Sequence, residues 1–178
     1  MRKEIDVLEY AATILKATKT GILLTTQAGG QTNAMTIGWG TIGVEWEKLL
    51  FTAFVRENRF TNTLLGQNPE FTVNVPFGPF DKKILGVCGT KSGRDTDKLK
   101  ELNVTLESAK VISVPAIKEL PLTLECRVIY HQKQDERQIT PQNKEKFYPQ
   151  TVSSFFHGAN KDYHIAYYAE IVAAYILQ

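Results

Sequence analysis

Apolar residues near the start of the chain recur at the spacing of a helix, and then the spacing changes. Val7, Leu8, Ala11, Ala12 and Leu15 fall at helical intervals within residues 6–16, with Asp6 placed to cap the first turn. Residues 21–27 (GILLTTQ) are short, apolar and β-branched, and Ala28-Gly29-Gly30-Gln31 follows as a turn signal. Residues 33–42 (NAMTIGWGTI) and 49–55 (LLFTAFV) read as further strands, joined through residues 43–48. They predict an antiparallel meander, because connections so short hold no crossover helix. A short helix is expected over residues 58–65, with Asn58 as its N-cap and Phe60 and Leu64 on one face. Residues 70–75 (EFTVNV) alternate and stop at Pro76, which predicts a strand.

The second half is less uniform. Residues 79–100 mix glycine, serine and charge and predict no regular element. Residues 121–131 (PLTLECRVIYH) set Leu122, Leu124, Cys126 and Val128 against Thr123, Glu125, Arg127 and Ile129, the clearest strand in the chain. Residues 132–150 are polar and hold two prolines, so they read as a surface excursion, while residues 167–176 (YYAEIVAAYI) fit a strand or a helix. No repeat or linker divides the chain. One domain over residues 1–178 is expected, mainly β with a few α-helices, closed as a Greek-key-type barrel.

Composition narrows the function. A chain of 178 residues can bury a core, and 43% apolar with 22% charged residues excludes a disordered protein. Twenty-one Lys and Arg against 19 Asp and Glu give no general reason to expect nucleic acid, so any anion site must come from local clustering. No run of about 18 apolar residues is present, and the acidic residues of MRKEID interrupt any signal core. A cytoplasmic protein that does not engage a membrane is expected. Cys88 and Cys126 lack zinc-ligand spacing and sit among apolar neighbours, as buried thiols do; no metal site is expected.

Three segments carry candidate chemistry. In Arg56-Glu57-Asn58-Arg59-Phe60-Thr61-Asn62-Thr63, arginine forks, threonine hydroxyls and the backbone amides of a helix start suit a phosphate dianion. The same residues fit a capped surface helix with solvated arginines. In Gly89-Thr90-Lys91-Ser92-Gly93-Arg94-Asp95-Thr96-Asp97-Lys98, glycines permit close backbone approach, and Ser92, Arg94 and Lys98 can donate hydrogen bonds. It lacks Walker spacing and also fits a plain polar loop, with Asp95 and Asp97 as capping or ion-pairing groups. In residues 33–40, alternation puts Met35, Ile37 and Trp39 on one face, and Gly38 and Gly40 leave room for a flat ring; Trp39 equally fits an ordinary core position.

Taken in order, NAMTIGWG (33–40), FVRENRFT (54–61), FTVNVP (71–76), GTKSGRDTDK (89–98), LECRVIYH (124–131) and DYHIAYYAEI (162–171) resemble the flavin reductase-like family, within it the flavoredoxin-like branch. The resemblance runs from about residue 20 to the C-terminus, except through residues 155–161 (FFHGANK). It implies an FMN-binding split barrel and a homodimer with each FMN near the subunit interface. Met35, Thr36 and Trp39 would line the isoalloxazine or ribityl side. Val55, Arg56, Asn58 and Thr61 would hold the phosphate region, and Ser92, Gly93, Arg94 and Lys98 would close it, with Lys98 equally a candidate for the positive group beside the pyrimidine edge of the flavin. The segment with Asp162, Tyr163 and His164 would reach the flavin, from the partner subunit in one arrangement. His164, like His157, also fits a structural or surface role. The implied activity is hydride transfer from NAD(P)H to flavin, the chemistry residing in the cofactor. No GxGxxG fingerprint follows a strand, which suits either a loosely docked nicotinamide or an electron carrier that takes its electrons from a redox protein. A flavin-free barrel serving as a dimerisation or small-molecule binding module is the reading from a different class.

Overall fold

The computed structural model of the chain describes residues 1–152 and 161–178. Strand β1 (Arg2–Glu4) precedes helix α1 (Val7–Thr20), whose Asp6 accepts a 2.9 Å hydrogen bond from the Leu8 N–H, as the sequence leads one to expect of a capping aspartate. Next come β2 (Ile22–Ala28), β3 (Gln31–Ile37), β4 (Gly40–Glu45) and β5 (Lys48–Arg56). The expected strand over residues 33–42 is therefore two strands, broken at Gly38 and Trp39. The β4–β5 turn is tighter than expected: Trp46 and Glu47 both have positive φ, 51° and 58°. That two-residue geometry matches the twist of the flanking strands.

Helix α2 (Phe60–Leu65) leads to β6 (Glu70–Val75). Arg59, not Asn58, occupies the N-cap of α2, and no side chain caps it. Residues 79–100 are more ordered than their composition predicts, forming α3 (Lys83–Thr90) and α4 (Lys98–Glu101). Asp97 does cap α4, accepting from the Lys100 N–H at 3.1 Å. A small pair, β7 (Leu106–Glu107) and β8 (Ala116–Ile117), precedes β9 (Leu122–Lys133). The polar excursion holds a 3-10 turn, Glu136–Gln138, and helix α5 (Pro141–Phe147); β10 (His164–Leu177) resolves the strand-or-helix choice as strand.

Among the described residues the main sheet has eight strands in the order β3-β2-β6-β9-β10-β5-β4, with β1 pairing β10, and its pairs are antiparallel. Strands β3 and β4 lie at opposite ends of that order, yet only Gly38 and Trp39 separate them in sequence. Two residues span a few ångströms, so the sheet must curl until its edges nearly meet. It is a split barrel, and the expectation of closure fails: no ladder joins β3 to β4. Helix α1 packs against β4 and β6 and buries Val7 and Ile14 in the barrel core.

Alternation along β2 decides what faces where. Ile22 and Leu24 join Phe51, Val55, Phe71, Val73, Leu122 and Leu124 inside the barrel. Leu23 points outward and packs with Ala34, Ile84, Cys88 and Leu99 beneath α3 and α4. Both faces of β2 are thus covered, which is why its sequence reads as an unbroken apolar run. The same holds for β9, where Thr123 and Glu125 are buried along with Leu122, Leu124 and Cys126. The Glu125 carboxylate accepts from the N–H groups of Lys110, Val111 and Ile112, anchoring the segment that covers this face. Both cysteines are buried, as expected.

Candidate functional site

A cleft of about 830 Å³ opens where the barrel splits, walled by β3, the end of β5, the start of α2, the loop after α3, and the start of β10. Its size suits a cofactor-sized ligand. Met35, Thr36, Trp39, Arg56, Asn58 and Thr61 line it, as do Ser92, Gly93, Arg94, Lys98 and His164. Val55 is the exception. Its side chain is fully buried in the barrel core, because alternation in β5 turns it away from the wall that Phe54 and Arg56 form.

One end is cationic. Lys98 is only 4% exposed, and its ammonium donates to the carbonyls of Ala34 at 2.6 Å and Cys88 at 3.5 Å. Among the described residues it forms no ion pair with a carboxylate. Burial pushes its pKa down, and the Arg59 charge adds to the effect. Arg94 crosses the cleft mouth to Asn58, donating to its carbonyl at 2.7 Å, and lies over the Phe60 ring. Asn33, which sequence reasoning passed over, is buried beside Thr61 and donates to its hydroxyl at 3.1 Å, while its Oδ1 has no partner among the described residues. Gly93 makes this arrangement possible: a Cβ there would stand 2.2 Å from Asn33 Oδ1. Helix α2 has six residues, so its dipole adds less than these side chains do.

The other end is aromatic. Trp39, at the break between β3 and β4, lies 4.7 Å from the His164 ring and 5.2 Å from Phe147 in edge contact. Arg56 is buried here and not at the cationic end. Its guanidinium donates to the carbonyls of Asp162 and, at 3.0 Å, Phe147, and stacks over Tyr148 at 5.0 Å. Burial lowers its pKa. Arg56 thus ties β5 to the excursion and to the start of β10. Asp162 Oδ2 accepts from the Asn58 N–H at 3.2 Å, so Asn58 contributes backbone to the wall. Asp162 and His164 stand on the wall of their own chain's cleft, whereas Tyr163 stacks on Tyr148 and donates to Glu136. His164 is 5% exposed, and its burial together with the Arg56 and Arg59 charges lowers its pKa to about 3. His157 and most of the FFHGANK stretch lie outside the described residues.

A flavin reductase like domain model matches residues 16–176. The chain belongs to the flavin reductase-like family. An FMN-binding domain of a flavin reductases-like enzyme from Shewanella baltica superposes with a TM-score of 0.65 at 16% identity, covering 99% of this chain and 77% of that one. Flavoredoxin from Methanosarcina acetivorans gives 0.63 at 25% identity, covering 89% and 68%. Nitrilotriacetate monooxygenase component B from Bacillus cereus gives 0.66 at 13%, covering 98% and 78%. An uncharacterized protein of Archaeoglobus fulgidus is 34% identical over 97 residues, 54% of each chain. The chain matches about half the length of that relative.

Within this family fold, the residues present fit a ligand with a dianionic end and a flat ring. Among the described residues the buried ammonium of Lys98 meets no carboxylate, and the buried Asn33 amide keeps an unpartnered oxygen. An orphaned buried polar atom costs about 1–3 kcal/mol, a cost that a ligand can relieve. Met35, Ile37 and Phe54 supply apolar wall toward Trp39.

Proposed function

We propose that the cleft binds FMN and that the protein is an oxidoreductase passing electrons from reduced nicotinamide through the flavin, as an NAD(P)H:flavin reductase. The observation that carries the FMN reading is Lys98: a buried cation on the cleft wall, held by two backbone carbonyls with no carboxylate among the described residues to neutralise it. A phosphate dianion supplies that charge. In this reading Lys98, Arg94 and the Thr61 hydroxyl hold the phosphate, with Asn33 beside them. Met35 and Trp39 orient the ring, and Arg56 keeps the aromatic wall in place by gripping Asp162 and Phe147. Bound FMN would supply a ring that accepts hydride from reduced nicotinamide and passes electrons on.

A flavoredoxin-type carrier, reduced by another redox protein, is the second reading, favoured by the 25% identity to a flavoredoxin. An anaerobic absorbance titration with NADH and then NADPH separates the two. Bleaching near one equivalent supports the reductase. A bound flavin that bleaches with dithionite alone supports the carrier, and failure to take up FMN ends both.

Self-association is part of the proposal. Val44 is 74% exposed and Trp46 55%, and Trp46 meets Tyr130 edge-on while Tyr130 contacts Tyr168. An apolar patch of this kind on a soluble domain marks an interaction surface. A homodimer across it predicts that Trp46→Lys shifts the sedimentation coefficient to that of a monomer. A wild-type monomer would refute it.

A further inference from the structure

The aromatic end of the cleft carries a hydrogen-bond chain whose polarity follows from one obligate donor. The backbone N–H of His164 donates to Gln134 Oε1 at 3.2 Å, which fixes the orientation of that amide. The same oxygen takes the Tyr148 hydroxyl hydrogen at 2.9 Å. A hydroxyl has a single hydrogen, so Tyr148 can offer only a lone pair to His164 Nδ1, 2.8 Å away. Nδ1 therefore carries the proton and donates to Tyr148. In a neutral imidazole the other nitrogen, Nε2, is then an acceptor. Among the described residues it has no hydrogen-bond partner, and it belongs to a residue on the cleft wall. Arg56 and Arg59 nearby oppose protonation of the ring.

We propose that Gln134 and Tyr148 are positioning residues that lock His164 as the Nδ1–H tautomer, so that its Nε2 accepts a hydrogen bond from an N–H or O–H of the bound flavin. The proposal rests on the FMN reading and reverses the polarity of a histidine that donates to a flavin carbonyl. It also gives the polar excursion a task. Gln134 and Tyr148 lie at its two ends and meet at His164.

The test is nitrogen NMR of the full chain labelled at histidine, free and then titrated with FMN, with flavin fluorescence recording binding in the same sample. His164→Gln assigns the signals. In the free protein His164 is expected to show a protonated Nδ1 and a bare Nε2, without titrating between about pH 5 and 8. As FMN binds, the Nε2 resonance should move in the direction that accepting a hydrogen bond produces. Tyr148→Phe should admit the second tautomer and weaken FMN binding roughly two- to tenfold. A protonated Nε2, or titration near the ordinary histidine value, overturns the lock. FMN bound with Nε2 unmoved overturns the contact and leaves the functional reading standing. No FMN binding overturns that reading and the contact with it, while the free protein's spectrum still decides the lock.

Discussion

Lys98→Met separates the cost of a buried charge from its use. Methionine is similar in length, so the void beneath α4 stays filled, but the ammonium and its bonds to Ala34 and Cys88 are lost. In the ligand-free protein these losses oppose each other: the desolvated charge disappears, and two carbonyls lose a donor. Replacing buried charge by an apolar side chain is often close to neutral for stability, so the change should stay within about 1 kcal/mol. For a chain of this length that is roughly 2–4 °C in Tm. Ligand binding has no such cancellation. A charge-assisted hydrogen bond to phosphate contributes about 1.5–3 kcal/mol, so the Kd for FMN should rise roughly 10- to 150-fold.

Flavin fluorescence quenching measures that Kd, and riboflavin, which lacks the phosphate, provides the contrast. Riboflavin affinity should be nearly unchanged by Lys98→Met. An equal loss for both flavins would put Lys98 at the ring, and an unchanged FMN Kd would remove it from the site. A fall in Tm well beyond the stated range would make the ammonium a structural group and refute the reasoning. Because burial lowers the pKa of Lys98 and a dianion favours its charged form, FMN affinity should also fall as pH rises through that lowered pKa. The variant should lack this dependence.

Two glycines make opposite predictions. Gly93→Ala drives a Cβ into Asn33, costs about 1–3 kcal/mol and weakens FMN binding, whereas Gly86→Ala, inside α3 with nothing within 4 Å, stabilises by about 1 kcal/mol; thermal melts and FMN titrations decide both. Arg56→Ala should lower Tm as well as FMN affinity, by about 2–4 kcal/mol of stability, and Arg56→Lys should not rescue it, since lysine lacks the planar fork that meets the Asp162 and Phe147 carbonyls while stacking over Tyr148. Lost affinity at unchanged Tm would mean that Arg56 touches the ligand directly. His164 has a folded pKa of about 3 against 6.5 for a free histidine, so its contribution is complete above 6.5 and is lost as pH falls toward 3. Denaturant titrations across that window should therefore show a steeper acid loss in the wild type than in His164→Gln.

The strands were legible because each is a local pattern, and the site was legible in pieces for the same reason. NAMTIGWG, FVRENRFT and GTKSGRDTDK each end or interrupt an element, and the split barrel brings those ends to one cleft. Errors arose where a decision depends on distant chain. Gly38 and Trp39 continue the alternation of β3 perfectly well; only the need to reach the far edge of the sheet breaks the strand there. Helix α3 was hidden because KILGVCGT carries two glycines, and the packing of Ile84 and Cys88 against Leu23 outweighs their weak helix propensity.

Arg56 shows the same limit at the level of a single side chain. An arginine in a turn beside threonines looks like a phosphate ligand, and nothing in the local sequence announces that Phe147 and Asp162 will present carbonyls to it. The polar excursion looked like surface for a related reason. It does expose Asp135, Glu136 and Arg137, but Tyr148 turns inward, with 4% of its surface exposed. One inward tyrosine among polar residues has no periodicity to betray it. It matters nonetheless, because the direction of its hydroxyl proton, set by Gln134, decides which nitrogen of His164 carries the proton. In this cleft the cations are recognisable from sequence as a class. The neutral hydrogen-bond chain that orients the opposite wall exists only once residues 134, 148 and 164 are folded together.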